Sequence, residues 1–174
     1  MVNVAILGFG TVGSGVAEVL TTNGGLIDGR VNNQVRLKYI VDVRDFPDSP
    51  YKDLFVKDFA VLENDPELDI VVETIGGATI ALDFTTRALK AGKSVVTSNK
   101  ELVATHGYEL LQLAKDHGCS YLFEASVGGG IPILRPLTSC LAANELEQIT
   151  GILNGTTNYI LTRMIKTGSP STRP

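Results

Sequence analysis

VNVAILGFGTVG, running from Val2 to Gly13, decides how the rest of the chain is read. Val2 to Leu7 is a short apolar run rich in β-branched residues, as a strand covered on both faces requires. Gly8, Gly10 and Gly13 follow with the spacing G-x-G-x-x-G, and Val12, Val16, Val19 and Leu20 then recur at helical intervals until Asn23-Gly24-Gly25. A strand that passes through three glycines into a helix is the context in which this motif binds a dinucleotide. The first glycine permits the turn, the second lets a pyrophosphate reach the backbone, and the third lets the helix close on the strand. Open N–H groups and the positive helix end attract the phosphates. The competing reading is a tight strand-to-helix turn with no ligand.

Working outward, Val35, Leu37, Tyr39 and Val41 alternate with polar residues and lead into Asp42, a second strand ending in an acid. Gly24 to Gln34, between the first helix and this strand, reads as an inserted loop, and Asp45 to Pro50 as turn chemistry. Leu68 to Val72 is another apolar run, followed by Glu73-Thr74-Ile75-Gly76-Gly77. Thr79 can cap a helix with Leu82, Ala88 and Leu89 on its apolar side, ending at Ala91-Gly92. Ser94 to Ser98 is a strand that delivers Asn99 and Lys100. Leu110, Leu111, Leu113 and Ala114 mark a helix stopped by Gly118, and Ser120 to Phe123 a further strand.

Strands alternating with helices predict an α/β fold: a doubly wound parallel sheet, Rossmann-like, with helices on both faces. The pattern changes near Gly128, where three glycines and Pro132 open a helix expected to run through Leu141. We therefore expect a dinucleotide-binding domain over 1–133, the beginning of an incomplete α+β domain over 134–166, and a disordered tail over 167–174.

The 174 residues are 44% hydrophobic and 20% charged, enough apolar side chain for a packed core. A net charge of −4, with no dense basic block, argues against nucleic acid as a partner. Cys119 and Cys140 fit neither a disulfide framework nor a zinc pattern, so they read as reduced thiols. Cys119 has no activating neighbour and reads as a core residue. His106 and His117 lack partners at metal spacing and read as surface residues. The first residues are not a signal peptide and no apolar run is long enough for a membrane helix. A soluble, cytoplasmic protein is the expectation.

Ligands of open α/β sheets sit at the carboxyl ends of strands. Asp42 stands where an acid hydrogen-bonds the ribose of NAD, whereas Arg44, two residues on, suits the 2′-phosphate of NADP. Thr74, Ile75 and Gly76 follow one strand; Ser98, Asn99 and Lys100 follow another. The Lys100 amine can orient a carbonyl or move a proton, and its plain alternative is a surface lysine opening the next helix. Glu124 to Pro132 joins a carboxylate to a glycine-rich loop, which suits either a hard cation held by oxygens or a hinge between domains.

Taken together, Gly8 to Gly13, Glu73 to Gly77, Ser98 to Leu102, Glu124 to Pro132 and Gly151-Ile152-Leu153-Asn154-Gly155-Thr156-Thr157-Asn158-Tyr159-Ile160-Leu161 resemble the homoserine dehydrogenase family. The resemblance runs from residue 1 to about 166. It implies reversible reduction of L-aspartate 4-semialdehyde to L-homoserine with NADPH or NADH, on the route to threonine, methionine and isoleucine. It also implies that Phe9, Thr11 and Val12 join Gly8, Gly10 and Gly13 at the cofactor, and that Lys100 lies between nicotinamide and substrate. A monovalent cation, usually sodium, falls by resemblance on Glu124, Val127, Gly129 and Ile131, and Asn154 to Asn158 on the segment joining the two domains. Family members continue into a stretch with substrate-binding acids and a second lysine, and form homodimers. A truncated member is therefore expected, with an inactive dinucleotide-binding module as the alternative. A different semialdehyde or sugar oxidoreductase is disfavoured, because no activated cysteine offers acyl-enzyme chemistry.

Overall fold

The computed structural model describes residues 1–151 and 154–168. The first compact unit covers Met1–Leu134. Its centre is strand β1 (Val2–Leu7), whose last three residues are fully buried. Around it stand β2 (Val35–Val41), the two-residue β3 (Phe55–Val56), β4 (Leu68–Glu73), β5 (Ser94–Thr97) and the short β6 (Tyr121–Leu122). All pairings are parallel and the order is β3-β2-β1-β4-β5-β6. This is the doubly wound arrangement expected from the sequence, with its switch point between β1 and β4.

The register makes a site possible. Leu7 lies opposite both Val41 and Glu73, and Glu73 opposite Thr97, so four strands finish level. The turns that begin at Gly8, Asp42, Thr74 and Ser98 therefore share one edge.

Helices α1 (Thr11–Thr22), α4 (Thr79–Lys90) and α5 (Lys100–Asp116) cover the sheet. They do so through small or apolar residues: Gly13 and Ala17 from α1; Ala81, Ala88 and Leu89 from α4; Leu102, Leu110 and Ala114 from α5. Burying one such leucine stabilises the fold by about 1.5–3 kcal/mol. Gly92 and Gly118, both at positive φ, end the helices where the sequence places the stops.

Several local expectations are corrected. Gly24 to Gln34 is not simply a loop: Gly24–Val31 forms helix α2. None of its residues is buried, so it has no apolar stripe to betray it; instead Asp28 accepts the Val35 N–H at 2.8 Å and pairs with Arg36. Thr79 is the first residue of α4 rather than its cap, and Ala78 stands in the cap position without a side-chain bond. Between β3 and β4 a short helix α3 (Ala60–Glu63), which the sequence reading missed, buries Leu62. The segment after Phe123 opens as helix α6 (Glu124–Gly128), and the helix expected through Leu141 reduces to a π-type turn over Pro136–Cys140.

From Arg135 onward lies a second unit. Helix α7 (Gly155–Thr167) begins where the Asn154 side chain accepts the Thr157 N–H and ends at Gly168 with φ +64°. Among its described residues this unit contains no strand. Ile152, Leu153 and residues 169–174, which include most of the expected tail, lie outside the described residues.

Candidate dinucleotide-binding site

The glycine turn divides its work among three positions. Gly8 adopts φ +85°, a conformation that L side chains rarely take. A Cβ on Gly13 would stand 1.9 Å from the Gly8 carbonyl oxygen, so only glycine lets α1 close on the turn. Gly10 is different: a Cβ there meets nothing within 4 Å, which leaves its face open to a ligand. Gly10 also caps α1 without any side-chain bond, while Thr11 and Val12 are exposed. The helix thus presents free N–H groups and its positive end to that opening, an arrangement that fits a pyrophosphate.

A cleft of about 420 Å³ lies over the switch point, bounded by Gly8, Gly10, Asp42, Thr74 and Gly76, with exposed Val43 and Ile80 among its apolar walls. Thr74 belongs to the wall as a brace: its hydroxyl bridges the carbonyls of Leu7 and Gly8 at 2.9 Å each. The Phe9 ring points into an aromatic cluster with Phe46, Tyr51 and Phe55, at centroid distances of 5.1, 6.0 and 5.0 Å.

Asp42 and Arg44, weighed against one another from the sequence, form a single group. Asp42 is buried, so a solvated loop charge is excluded. Its Oδ2 accepts the Phe9 N–H at 2.7 Å and Arg44 Nη2 at 2.9 Å; its Oδ1 accepts the Arg44 N–H at 2.9 Å and Nε at 3.0 Å. The Arg44 guanidinium holds the carboxyl well below the usual carboxylate range. Arg44 itself is 59% exposed along its side chain and stacks over Phe46. Lys57, passed over in the sequence, reaches the carbonyls of Val43 and Arg44 and pairs with Asp45. Two cations thus flank the turn after β2.

On the other side of the switch point, Asn99 caps α5 by accepting the Leu102 N–H at 3.0 Å and donates to the carbonyls of Ile75 and Gly77. Ser98 donates its N–H to the Glu73 carbonyl at 3.3 Å. Lys100 is the exposed first residue of α5, and no hydrogen bond or ion pair to its ammonium occurs among the described residues. Glu124 opens α6 and its Oε1 accepts the N–H groups of Ile133 and Leu134, folding the glycine-rich segment back on itself. Val127 lies in α6, Gly129 follows at φ +61°, and Ile131 donates to the Gly128 carbonyl. Among the described residues no three His, Cys, Asp or Glu side chains gather as metal ligands. Any cation here would rest mainly on carbonyl oxygens.

His106 meets Glu109 at 3.3 Å, exposed His117 returns to the Leu113 carbonyl, and the half-buried Cys119 thiol is pushed up by burial.

Parallel order 3-2-1-4-5-6, a glycine turn with an open helix end and a cleft at the switch point define a Rossmann-type dinucleotide-binding domain. Residues 8–124 match the homoserine dehydrogenase NAD-binding domain and residues 132–173 match the homoserine dehydrogenase family. The chain belongs to the homoserine dehydrogenase family, whose members are NAD(P)-dependent oxidoreductases.

The homoserine dehydrogenase of Bacillus subtilis (strain 168) is 42% identical over an alignment that covers 97% of this chain and 40% of that protein. A crystal structure of the Thiobacillus denitrificans homoserine dehydrogenase superimposes with a TM-score of 0.87 at 38% identity, over 98% of this chain and 40% of that one. A hyperthermophilic archaeal homoserine dehydrogenase in complex with NADPH gives a TM-score of 0.79 at 27% identity, over 95% and 57%. The chain thus spans about 40% of the length of the curated relatives it matches.

Proposed function

We propose that this chain holds NADP or NAD in the cleft over β1 and β4 and serves the reversible reduction of L-aspartate 4-semialdehyde to L-homoserine. The observation that carries the reading is the open end of α1 above Gly10, where nothing stands within 4 Å of an added Cβ. The N–H groups of Thr11 and Val12 bind the pyrophosphate; Asp42 and Arg44 meet the adenosine ribose. Arg44 and Lys57 together favour the 2′-phosphate of NADP, since a guanidinium and an ammonium suit a dianion.

When bound, the cofactor gives or takes the hydride. The chain's part is positioning. Lys100, carried on the first turn of α5 with its ammonium uncommitted, orients the substrate carbonyl and supplies a proton to the oxygen as the alcohol forms. Thr74, Ile75, Gly76, Ser98 and Asn99 shape the nicotinamide side. The oxygen-rich Glu124 to Ile131 segment suits a monovalent cation held by carbonyls of Val127, Gly129 and Ile131 beside Glu124.

The family supports a place in threonine, methionine and isoleucine synthesis, a homodimer and a cytoplasmic location. No helix among the described residues is long and apolar enough to cross a membrane.

Calorimetric titration with NADPH and NADH, followed by assay with L-homoserine and NADP, tests the proposal. Heat from neither nucleotide would end it. Binding without turnover would restrict this chain to holding the cofactor.

A further inference from the structure

The ends of β4 and β5 are joined by a closed circuit of hydrogen bonds, two of whose members, Glu73 and Thr97, the proposed function leaves unused. Glu73 is fully buried. Its Oε1 accepts the Ile75 N–H at 2.6 Å, and its Oε2 accepts the hydroxyl of Thr97. Thr97 Oγ1 in turn accepts the Asn99 N–H at 2.9 Å. The Asn99 carboxamide nitrogen returns to the Ile75 carbonyl at 3.0 Å and the Gly77 carbonyl at 2.7 Å, while its oxygen caps α5 through the Leu102 N–H.

The circuit has one direction. A backbone N–H can only donate, so Thr97 accepts from Asn99, and its own proton is directed at Glu73. Both carboxyl oxygens must then accept, one from Thr97 and one from Ile75. Only a carboxylate side chain offers two acceptors at that reach. An apolar residue would fill the same strand end at lower cost, since taking a carboxyl out of water is expensive and here pushes its proton affinity up. What the acid provides is a rigid link between the turn after β4 and the turn that begins α5 at Lys100.

We propose that Glu73 is a positioning residue that, through Thr97 and Asn99, fixes Lys100 against the Ile75 to Gly77 edge of the cleft. The role rests on the cofactor and Lys100 reading above. Glu73 touches neither cofactor nor substrate. Its loss acts on the nicotinamide half of the cleft and spares the adenosine half, which depends on Gly8 to Gly13 and on Asp42.

Two variants of the full chain break the circuit without opening a large cavity. Glu73→Gln replaces one acceptor by a donor: facing the Ile75 N–H it opposes a second donor, and facing Thr97 it makes the hydroxyl turn its proton away from position 73, where that proton no longer has an acceptor. Thr97→Val removes the relay at nearly constant shape and decides the matter if Glu73→Gln fails to fold; Thr97→Ser keeps the hydroxyl. Amide hydrogen exchange, which needs no ligand, is expected to accelerate about tenfold at Asn99 and Leu102 in both breaking variants, the loss of roughly one hydrogen bond. The Gly8 to Gly13 amides stay as they were, and Thr97→Ser behaves like the parent.

In calorimetry, NADPH binding weakens about five- to tenfold by the same measure while 2′,5′-ADP, the adenosine half alone, binds unchanged. Unaltered exchange at Asn99 and Leu102 overturns the proposal, as does an equal loss of affinity for NADPH and 2′,5′-ADP. A parent chain that binds neither NADPH nor NADH defeats the cofactor reading instead, and the exchange data then still decide whether Glu73 governs the Lys100 turn.

Discussion

The carboxylate of Asp42, at the end of β2, accepts the amide N–H of Phe9 at 2.7 Å and so braces the glycine turn that leaves β1. The acid expected to meet the ribose also holds the glycine turn in shape, and it carries Arg44 with it. Asp42→Ala is expected to weaken NADPH binding about tenfold or more, because the half-buried Phe9 N–H loses its acceptor and Arg44 is released. Titration calorimetry measures this, and an unchanged affinity would sever the acid from the site.

The same carboxyl sets an acid limit. Its affinity for protons is lowered in the fold by Arg44, so its contribution to stability is present above the unfolded value of about 4 and is lost as pH falls toward the folded one. Thermal melts from pH 6 down to 2.5 should show a steeper loss for the parent chain than for Asp42→Asn.

Glu73 has the opposite sign. Burial raises it, so its contribution is complete below about pH 4 and is lost as pH rises through the folded value. Melts of Glu73→Gln between pH 4 and 8 are expected to be flatter than those of the parent, and a steeper curve would contradict the assignment.

Gly13 and Gly10 separate fold from binding. Gly13→Ala drives a methyl into the Gly8 carbonyl and should cost at least about 2 kcal/mol of stability by denaturant titration. Gly10→Ala meets open space, so it should melt within a few degrees of the parent yet lose pyrophosphate affinity.

Lys100→Ala is expected to keep NADPH binding near the parent value and to lower any homoserine turnover by about 10²- to 10⁴-fold, the usual worth of a positioned proton donor. Equal turnover in the two proteins would return Lys100 to the surface lysine it resembles in isolation.

The first strand, glycine turn and helix were legible because their signals are contiguous: a β-branched run, three glycines and a helical repeat within Val2 to Leu20. Strands β4 and β5 and helices α4 and α5 were legible for the same reason. Helix α2 was not, because it buries nothing. Strand β3 is only two residues long and exists through its pairing of Phe55 with Ile40 and Val56 with Val41. The candidate site divides in the same way. The positions of Gly8 to Gly13, Asp42, Thr74 to Gly76 and Ser98 to Lys100 at strand ends could be read from local pattern, whereas Lys57 could not, because it approaches Arg44 across a loop.

The amino-acid sequence by itself determined which segments become strands and helices, that the strands run parallel, and that glycine turns and polar residues gather at their carboxyl ends; these follow from periodicity and backbone freedom over a few residues. Tertiary structure decided what each polar group does. Glu73 and Thr97 are 24 residues apart and meet only because β4 and β5 end in register, and Asp42 finds Phe9 only because β1 and β2 do. A hydrogen bond needs its partners within about 3 Å, and that distance is set by how strands align, not by how residues follow one another along the chain.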